Sequence, residues 1–362
     1  MEVKTPYAGK ELATHPERHP DLCAGRLGFL SKEQKQAVAL LRKKYDWETA
    51  LQGFLEPGET PDTCILRFLR ARQFDISEAS LMVENHLQWR KTFDIDRKAH
   101  MPTDELLGCS FDKKILPHYP QGYGGVDKNG RLIYIKLVGK LNVEGVLKNV
   151  TVDKFVDFEV SMMERGKWIH GVQRAKVGYH CEEFFSIVDL EGFGMSIMSA
   201  NVWGFLRAIA AQLGDNYPET NGGMYLINTP WSFTMIWKVV KTFVDAATVA
   251  KIKILGSDYK KELLKCVDSD QLPVEYGGTG LSLKEICYSS KHRAFVPRKR
   301  PAAMDALKGS FEYCHSVGAD LTEEETKQER EPDNDPELED DQMALVSTEA
   351  SSVTMSEEVE PD

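Results

Sequence analysis

Several short runs of the sequence carry residue types suited to covalent chemistry, and each lacks a member that the chemistry needs. Gly194-Met-Ser196-Ile-Met198 starts like a nucleophile elbow, but methionine stands where the closing glycine permits the tight strand-to-helix turn. His180-Cys181 has the His-Cys start of a phosphate-binding cysteine loop, yet the sixth residue beyond the cysteine is Ile187, not the arginine that clamps a phosphate. No Gly-x-x-x-x-Gly-Lys-Ser/Thr string occurs, and the glycines at 122, 124 and 125 precede a strand, where a dinucleotide loop would follow one. The nine histidines form no His-Glu-x-x-His pattern or other short ligand spacing, so His86, His170 and His180 suit surface or core roles. No catalytic residue, metal site or cofactor is expected, and the chemistry left is that of binding.

One stretch has binding chemistry of its own. After Pro230, the residues Phe233, Ile236, Trp237, Val240 and Phe243 line one face of a helix while Lys238 and Lys241 lie elsewhere. The pattern alone fits a helix burying its stripe in a core.

The elements around it follow from periodicity. Residues 1–30 are rich in Pro, His and Gly without a period and form an irregular lead-in. From 31 to 100 the spacing is helical: Val38, Leu41 and Tyr45, then Ile65, Leu66, Phe68 and Leu69, then a helix capped by Asp75 or Ser77 that carries Ala79, Val83 and Leu87. The turn Asp127-Lys-Asn-Gly130 leads into strands expected at Leu132–Val138, Phe184–Leu190, Met224–Asn228 and Lys251–Leu255. Between them lie helical stripes, Phe155, Phe158, Met162 and Ile169, then Met198, Val202, Phe205, Leu206, Ile209 and Leu213. Strands separated by helical crossovers predict an α/β fold over residues 101–280, with a mainly parallel sheet flanked by helices.

Charge divides the chain. The 362 residues carry a net charge of −11, but residues 320–362 hold 17 acids against Lys327 and Arg330. The first 319 residues are slightly basic, with 43 bases and 39 acids, which argues against nucleic-acid binding and leaves an anionic membrane surface open as a partner. Residues 281–319 read as a basic linker, with Lys291-His-Arg293 and Arg298-Lys-Arg300, and 320–362 as a disordered acidic tail. Seven scattered cysteines without a Cys-x-x-Cys pair suit a reducing compartment. The start, Met1-Glu-Val-Lys-Thr-Pro6, has no apolar core, so no secretory signal is expected. The uncharged run Thr220–Trp237 contains Asn221, Gly222, Gly223, Asn228 and Pro230, and reads as strand, turn and helix in a soluble protein, not as a membrane span.

The string Cys64-Ile-Leu-Arg-Phe-Leu-Arg-Ala-Arg-Gln-Phe-Asp75, with Trp89-Arg-Lys91 closing the next helix, resembles the N-terminal signature of the CRAL-TRIO lipid-binding family. The likeness continues in order through Asp127–Arg131, Asp189-Leu190, Asn216-Tyr-Pro-Glu219, Tyr225–Pro230, Thr248–Ile252, Ile254-Leu-Gly256 and Leu272–Gly278. Within the family it is most similar to the phosphatidylinositol/phosphatidylcholine transfer proteins of the secretory pathway. The resemblance implies an N-terminal helical lobe packed on a sheet that floors a lipid cavity, and it turns the Phe233–Phe243 helix into a gate over the cavity mouth. It implies inositol-headgroup roles for Glu219 and Lys251, a phosphate-contacting hydroxyl at Thr248, and headgroup-region positions at Arg72, Asp127, Tyr123 and Tyr134. Ser186 keeps one hydroxyl position associated with choline lipids, but Phe184 replaces its partner. Thr220, Gln73 and Gly223 stand where basic residues are common in phosphatidylinositol binders. Without the resemblance, Glu219 reads first as a helix cap, Lys251 as a solvated strand end and Arg72 as the partner of a surface acid.

These expectations describe a lipid transfer or lipid-presenting protein, not an enzyme. A bound phospholipid is its ligand, phosphatidylinositol first and exchanging with phosphatidylcholine or another lipid, and transfer at membranes runs through docking, gate opening, lipid exchange and closure. It is expected to be a cytoplasmic monomer, peripheral and transient at Golgi or plasma membrane, with phosphoinositide-synthesising enzymes as partners. A carrier of a sterol or isoprenoid, and a non-exchanging lipid-regulated scaffold, are the rival readings.

Overall fold

Capping chemistry starts three helices of the N-terminal lobe. Ser31 and Gln34 form a capping box before α1 (Lys32–Lys44). Thr60 and Thr63 form another before α2 (Pro61–Ala71), whose first position is a proline. The Asp75 side chain accepts from the Glu78 amide to start α3 (Ile76–Phe93), so Asp75, not Ser77, is the cap. The three helices bury Val38, Leu41, Ile65, Leu66, Phe68, Leu69 and Val83 in one cluster. This computed structural model describes residues 24–45, 47, 59–177, 181–194, 200–242, 244 and 246–288, with backbone alone for 172–177 and 200–202. The lead-in to residue 23, the basic linker from residue 289 on, the acidic tail, His180, Ser196, Met198 and Phe243 lie outside the described residues.

Five strands line up in chain order: β1 (Gln121–Val126), β2 (Leu132–Lys136), β3 (Phe184–Asp189), β4 (Asn221–Ile227) and β5 (Ile252–Ile254). β1 is antiparallel to β2 and the other pairs are parallel. The mainly parallel sheet agrees with the periodicity, while β1 is an addition to it. Three of its six residues are glycine, which weakens a strand pattern. Two of them answer to packing: a Cβ on Gly122 would lie 2.1 Å from the Ile286 carbonyl oxygen, and one on Gly124 would lie 2.8 Å from the Ile286 side chain. The chain thus stays folded past Gly278, where α8 (Leu283–Cys287) buries Ile286 and Cys287 against β1.

Parallel pairs need crossovers, and three helices supply them: α4 (Val152–Val177), α5 (Ala200–Asn216) and α6 (Phe233–Val240). All three cover one face of the sheet. There Leu132, Tyr134 and Phe184 join Phe155, Phe158, Met162, Phe205 and Ile209 in a core, with the Phe155 and Phe205 rings 4.8 Å apart. The opposite face, Ile133, Ile135, Phe185, Ile187, Tyr225 and Ile227, is closed by α7 (Lys260–Cys266), the segment to Tyr276 and α8. Each fully buried aliphatic or aromatic side chain contributes about 1.5–3 kcal/mol, so both faces hold the sheet in place.

Candidate functional site

The amino ends of the parallel strands collect charge. Glu182 and Glu183 precede β3, Glu219 precedes β4 and Lys251 precedes β5. Lys251 Nζ stands 3.3 Å from Glu219 Oε2, and Arg70 Nε approaches the same oxygen at 4.0 Å. Arg70 also pairs with Glu182, and Arg26 with both Glu182 and Glu183, so the headgroup candidates are continuous with the ion pairs that fasten the helical lobe to the sheet. Burial pulls the Arg70 guanidinium below its ordinary range, and the Glu182 carboxylate opposes that shift. Thr248 belongs here too, since its carbonyl accepts the Lys251 amide at 3.0 Å. Glu219 is held at φ +57°, in the left-handed region that a non-glycine residue seldom adopts.

Arg70 is the cation that the sequence reading passed over. It follows the apolar residues Phe68 and Leu69 on α2 and reaches Glu219, whereas Arg72 caps that helix and donates to the Ala71 carbonyl at 2.9 Å. Asp127 is likewise committed to its own loop. It accepts from the Asn129 and Arg131 amides at 2.9 and 2.8 Å and pairs with the Arg131 guanidinium, whose other nitrogen reaches the Gly222 carbonyl. Burial pushes the Asp127 carboxyl up, and Arg131 pulls against that rise.

Tyr123, Tyr134 and Ser186 occupy the helix-covered face in a single row. Register places Tyr123 beside Tyr134, then Ser186, Met224 and Ile252, ending next to Lys251. The two tyrosine rings stack 4.3 Å apart, and the Tyr123 hydroxyl donates to the Met162 carbonyl at 3.0 Å. Gly166 on α4 makes room, because a Cβ there would lie 2.3 Å from that hydroxyl. Burial raises both phenols, so they act as neutral hydrogen-bonding groups. From Ser186 onward the row opens: Ser186, Val188, Met224 and Ile252 are only half-buried on the covered face, whereas Phe185, Ile187, Tyr225 and Ile227 on the other face are buried. Among the described residues the helices cover the sheet between β3 and β5 only in part, with Leu226 the buried exception.

α6 lies over that strip. Phe233 and Ile236 pack with Leu190 and Leu226, and Trp237 and Val240 are half-buried against them. The face expected to be apolar is therefore turned inward. The outer side is also apolar in part: Trp231 is 89% exposed and Met235 66% exposed. A groove of about 390 Å³ lies beside α6 next to β5, lined by Trp231, Trp237, Lys238, Lys241 and Ile254 among others. A second cavity, about 510 Å³, opens at the carboxyl ends of the strands around Lys140, Asp189, Tyr259 and Tyr276, and none of the expected site residues line it.

A polar cluster beneath α4 was also not anticipated. Lys136 Nζ lies 2.7 Å from Glu159 Oε2 and 3.3 Å from the Tyr119 hydroxyl, Gln121 donates to the other Glu159 oxygen at 2.8 Å, and the Tyr134 hydroxyl donates to Gln121. Burial pulls the Lys136 ammonium down, but Glu159 and Tyr119 together outweigh it and the net shift is upward. The signal for it is the strand period, which puts Lys136 in phase with Leu132 and Tyr134. Among the described residues no group of His, Cys, Asp and Glu side chains could hold a metal ion, and no helix is long and apolar enough to cross a membrane.

The fold and rim define a binding domain of the helix-covered α/β type with an N-terminal helical lobe. Residues 116–278 match the CRAL/TRIO domain and residues 29–85 match its N-terminal domain; the chain belongs to the CRAL-TRIO family. It is 33% identical over 276 residues to a Kluyveromyces lactis protein named SEC14 cytosolic factor, covering 72% of this chain and 85% of that one. It is 35% identical over 283 residues to the Yarrowia lipolytica SEC14 cytosolic factor, covering 75% of this chain and 53% of the relative. With the Arabidopsis thaliana phosphatidylinositol/phosphatidylcholine transfer protein SFH7 it shares 34% identity over 229 residues, 63% of this chain and 41% of that protein. The chain thus spans about half the length, or less, of several of its relatives. A crystal structure of Sfh5 shares the fold, with a TM-score of 0.56 at 20% identity over 73% of this chain and 93% of that one.

Proposed function

We propose that the protein is a lipid carrier that takes up phosphatidylinositol, shields its acyl chains between the sheet and α6, and exchanges it at membrane surfaces without covalent chemistry. The observation that carries this reading is the ion pair of Glu219 and Lys251 at 3.3 Å, set at the end of a half-buried apolar strip. A phosphodiester needs a cation and inositol hydroxyls need acceptors, and this pair offers one of each. Relatives named as phosphatidylinositol/phosphatidylcholine transfer proteins support the ligand class. Two acyl chains cost about 0.8 kcal/mol per methylene in water, so transfer requires an apolar refuge comparable to the bilayer, which the strip and the stripe of α6 supply together.

Membrane docking falls to the outer side of α6. Trp231 and Met235 are exposed beside Lys238 and Lys241, a combination suited to an anionic bilayer interface. Thr248 and Arg70 complete the headgroup end, Tyr123, Tyr134 and Ser186 border the interior, and Asp127 shapes the loop through Arg131. The carrier works at cytoplasmic membrane surfaces and hands lipid to phosphoinositide-synthesising enzymes. The test is exchange of labelled phosphatidylinositol between vesicles by the wild-type chain, with Lys251→Ala as the impaired control.

A further inference from the structure

Lys136 is an unusual resident of a helix-covered sheet face. Its ammonium touches the Glu159 carboxylate and the Tyr119 hydroxyl, and it also stands 4.9 Å from the centre of the Tyr134 ring and 5.8 Å from that of Tyr119. The Tyr134 ring, the Tyr119 hydroxyl oxygen and a carboxylate around one positive charge are electron-rich groups of the kind that hold quaternary ammonium ligands. Gln121 fixes the carboxylate and the Tyr134 hydroxyl, and the Tyr123 ring backs that of Tyr134, so the cage is braced independently of the lysine. Register places Lys136 between Gln121 and Val188, so the cage borders the half-buried strip under α6, and the Lys136 side chain keeps 18% exposure.

We infer that Lys136 is a headgroup selector: its tethered ammonium occupies a cation cage built from Tyr119, Tyr134 and Glu159 and so excludes lipids that carry a quaternary ammonium. A headgroup cation entering the cage must displace an ammonium that is already bonded to the chain and cannot diffuse away. The displaced lysine would then lie beside a second cation in a site of low dielectric, with one carboxylate between them. Such exclusion by like charge is a common route to specificity. It leaves headgroups without a cation unaffected. The inference deepens the lipid reading, and rests on it only in the vesicle measurement below.

The cage itself is tested on the full chain with free choline. Melting midpoints of the wild type, Lys136→Met and Lys136→Met/Glu159→Gln are compared in choline chloride and in sodium chloride of equal ionic strength. Lys136→Met is expected to gain about 2–4 °C from choline alone, with no choline-specific shift in the wild type or the double variant. An equal shift in the wild type, or none in Lys136→Met, overturns the inference. Lys136→Gln, which keeps a hydrogen bond to Glu159, carries the same comparison if the methionine variant does not fold. In vesicle exchange the wild type should transfer labelled phosphatidylinositol at least about tenfold faster than phosphatidylcholine, and Lys136→Met should narrow that ratio. Equal rates in the wild type overturn the exclusion. A wild type that transfers neither lipid, with the choline shift present in Lys136→Met, removes the lipid reading and supports the cage.

Discussion

Lys251 Nζ lies 3.3 Å from Glu219 Oε2, across the gap between the segments that lead into two neighbouring parallel strands. The two side chains neutralise each other at the strand starts, and each is the complement of one part of an inositol phospholipid headgroup. In the proposed carrier, binding would exchange an internal ion pair for two ligand contacts.

Removing either partner weakens the ligand more than the fold. A charge-assisted hydrogen bond is worth about 1.5–3 kcal/mol, so Lys251→Ala and Glu219→Ala should each slow phosphatidylinositol exchange about tenfold or more. Glu219→Gly separates the effects further. Glycine accepts φ +57° without strain, which offsets both its larger unfolded-state entropy and the lost, partly exposed ion pair. Urea unfolding of this variant should agree with wild type within about 1 kcal/mol while exchange fails. Normal exchange by folded Lys251→Ala and Glu219→Gly refutes the headgroup assignment.

The two sides of α6 should respond oppositely to substitution. Phe233 is buried, so Phe233→Asp places a carboxylate in an apolar cluster and should lower stability by several kcal/mol. Trp231→Ala and Met235→Ala change exposed residues and should leave the melting midpoint unchanged while reducing association with vesicles several-fold. Cosedimentation with vesicles of mixed phosphatidylcholine and phosphatidylserine measures the second effect, and unchanged binding of the Trp231 and Met235 double variant would argue against docking through this side.

His86 makes stability depend on pH. Burial among Phe68 and Trp89, followed by the charges of Arg90 and Lys167, holds its imidazole well below the ordinary 6.5. Below pH 6.5 the unfolded chain takes up a proton that the native state refuses, so this contribution is present above that pH and lost as pH falls. Unfolding free energy should drop by up to about 1.4 kcal/mol per pH unit between roughly pH 6.5 and 5. His86→Leu should flatten the slope in denaturant titrations over that range, and an unchanged slope would assign it to other groups.

The charge division of the sequence yields a further outcome. On charge alone, the 17 acids of residues 320–362 are expected to compete with anionic lipid for cations elsewhere in the chain, an effect with a range of one Debye length, about 8–10 Å. Truncation after Ala319 should strengthen binding to anionic vesicles, most at low salt, and phosphates added to the tail should weaken it. Equal binding of full-length and truncated chains at low salt would exclude autoinhibition by the tail.

What the sequence discloses of the fold depends on how local the determining forces are. The periods of β2, β3 and β4 and of α4 are set by side chains alternating between core and covering layer, and they are legible because that alternation is local. β1 is hidden because Gly122 and Gly124 answer to Ile286, more than 150 residues away. The same distance effect governs the site. Glu219 and Lys251 fall within recognisable motifs, but the choice of Arg70 over Arg72 is made by how α2 meets β4, and the pairing of Lys136 with Glu159 by how α4 crosses β2. A lysine in phase with Leu132 and Tyr134 looks like a strand-end charge until the partner beneath it is known.

The most direct measurement is mass spectrometry of the lipids that the full chain retains after native purification, alongside those retained by Lys251→Ala. The account predicts phosphatidylinositol as the principal lipid on the wild type, bound near one per chain, and sharply depleted on the variant. Retention of a sterol or isoprenoid in its place, or equal phosphatidylinositol on both proteins, would contradict it.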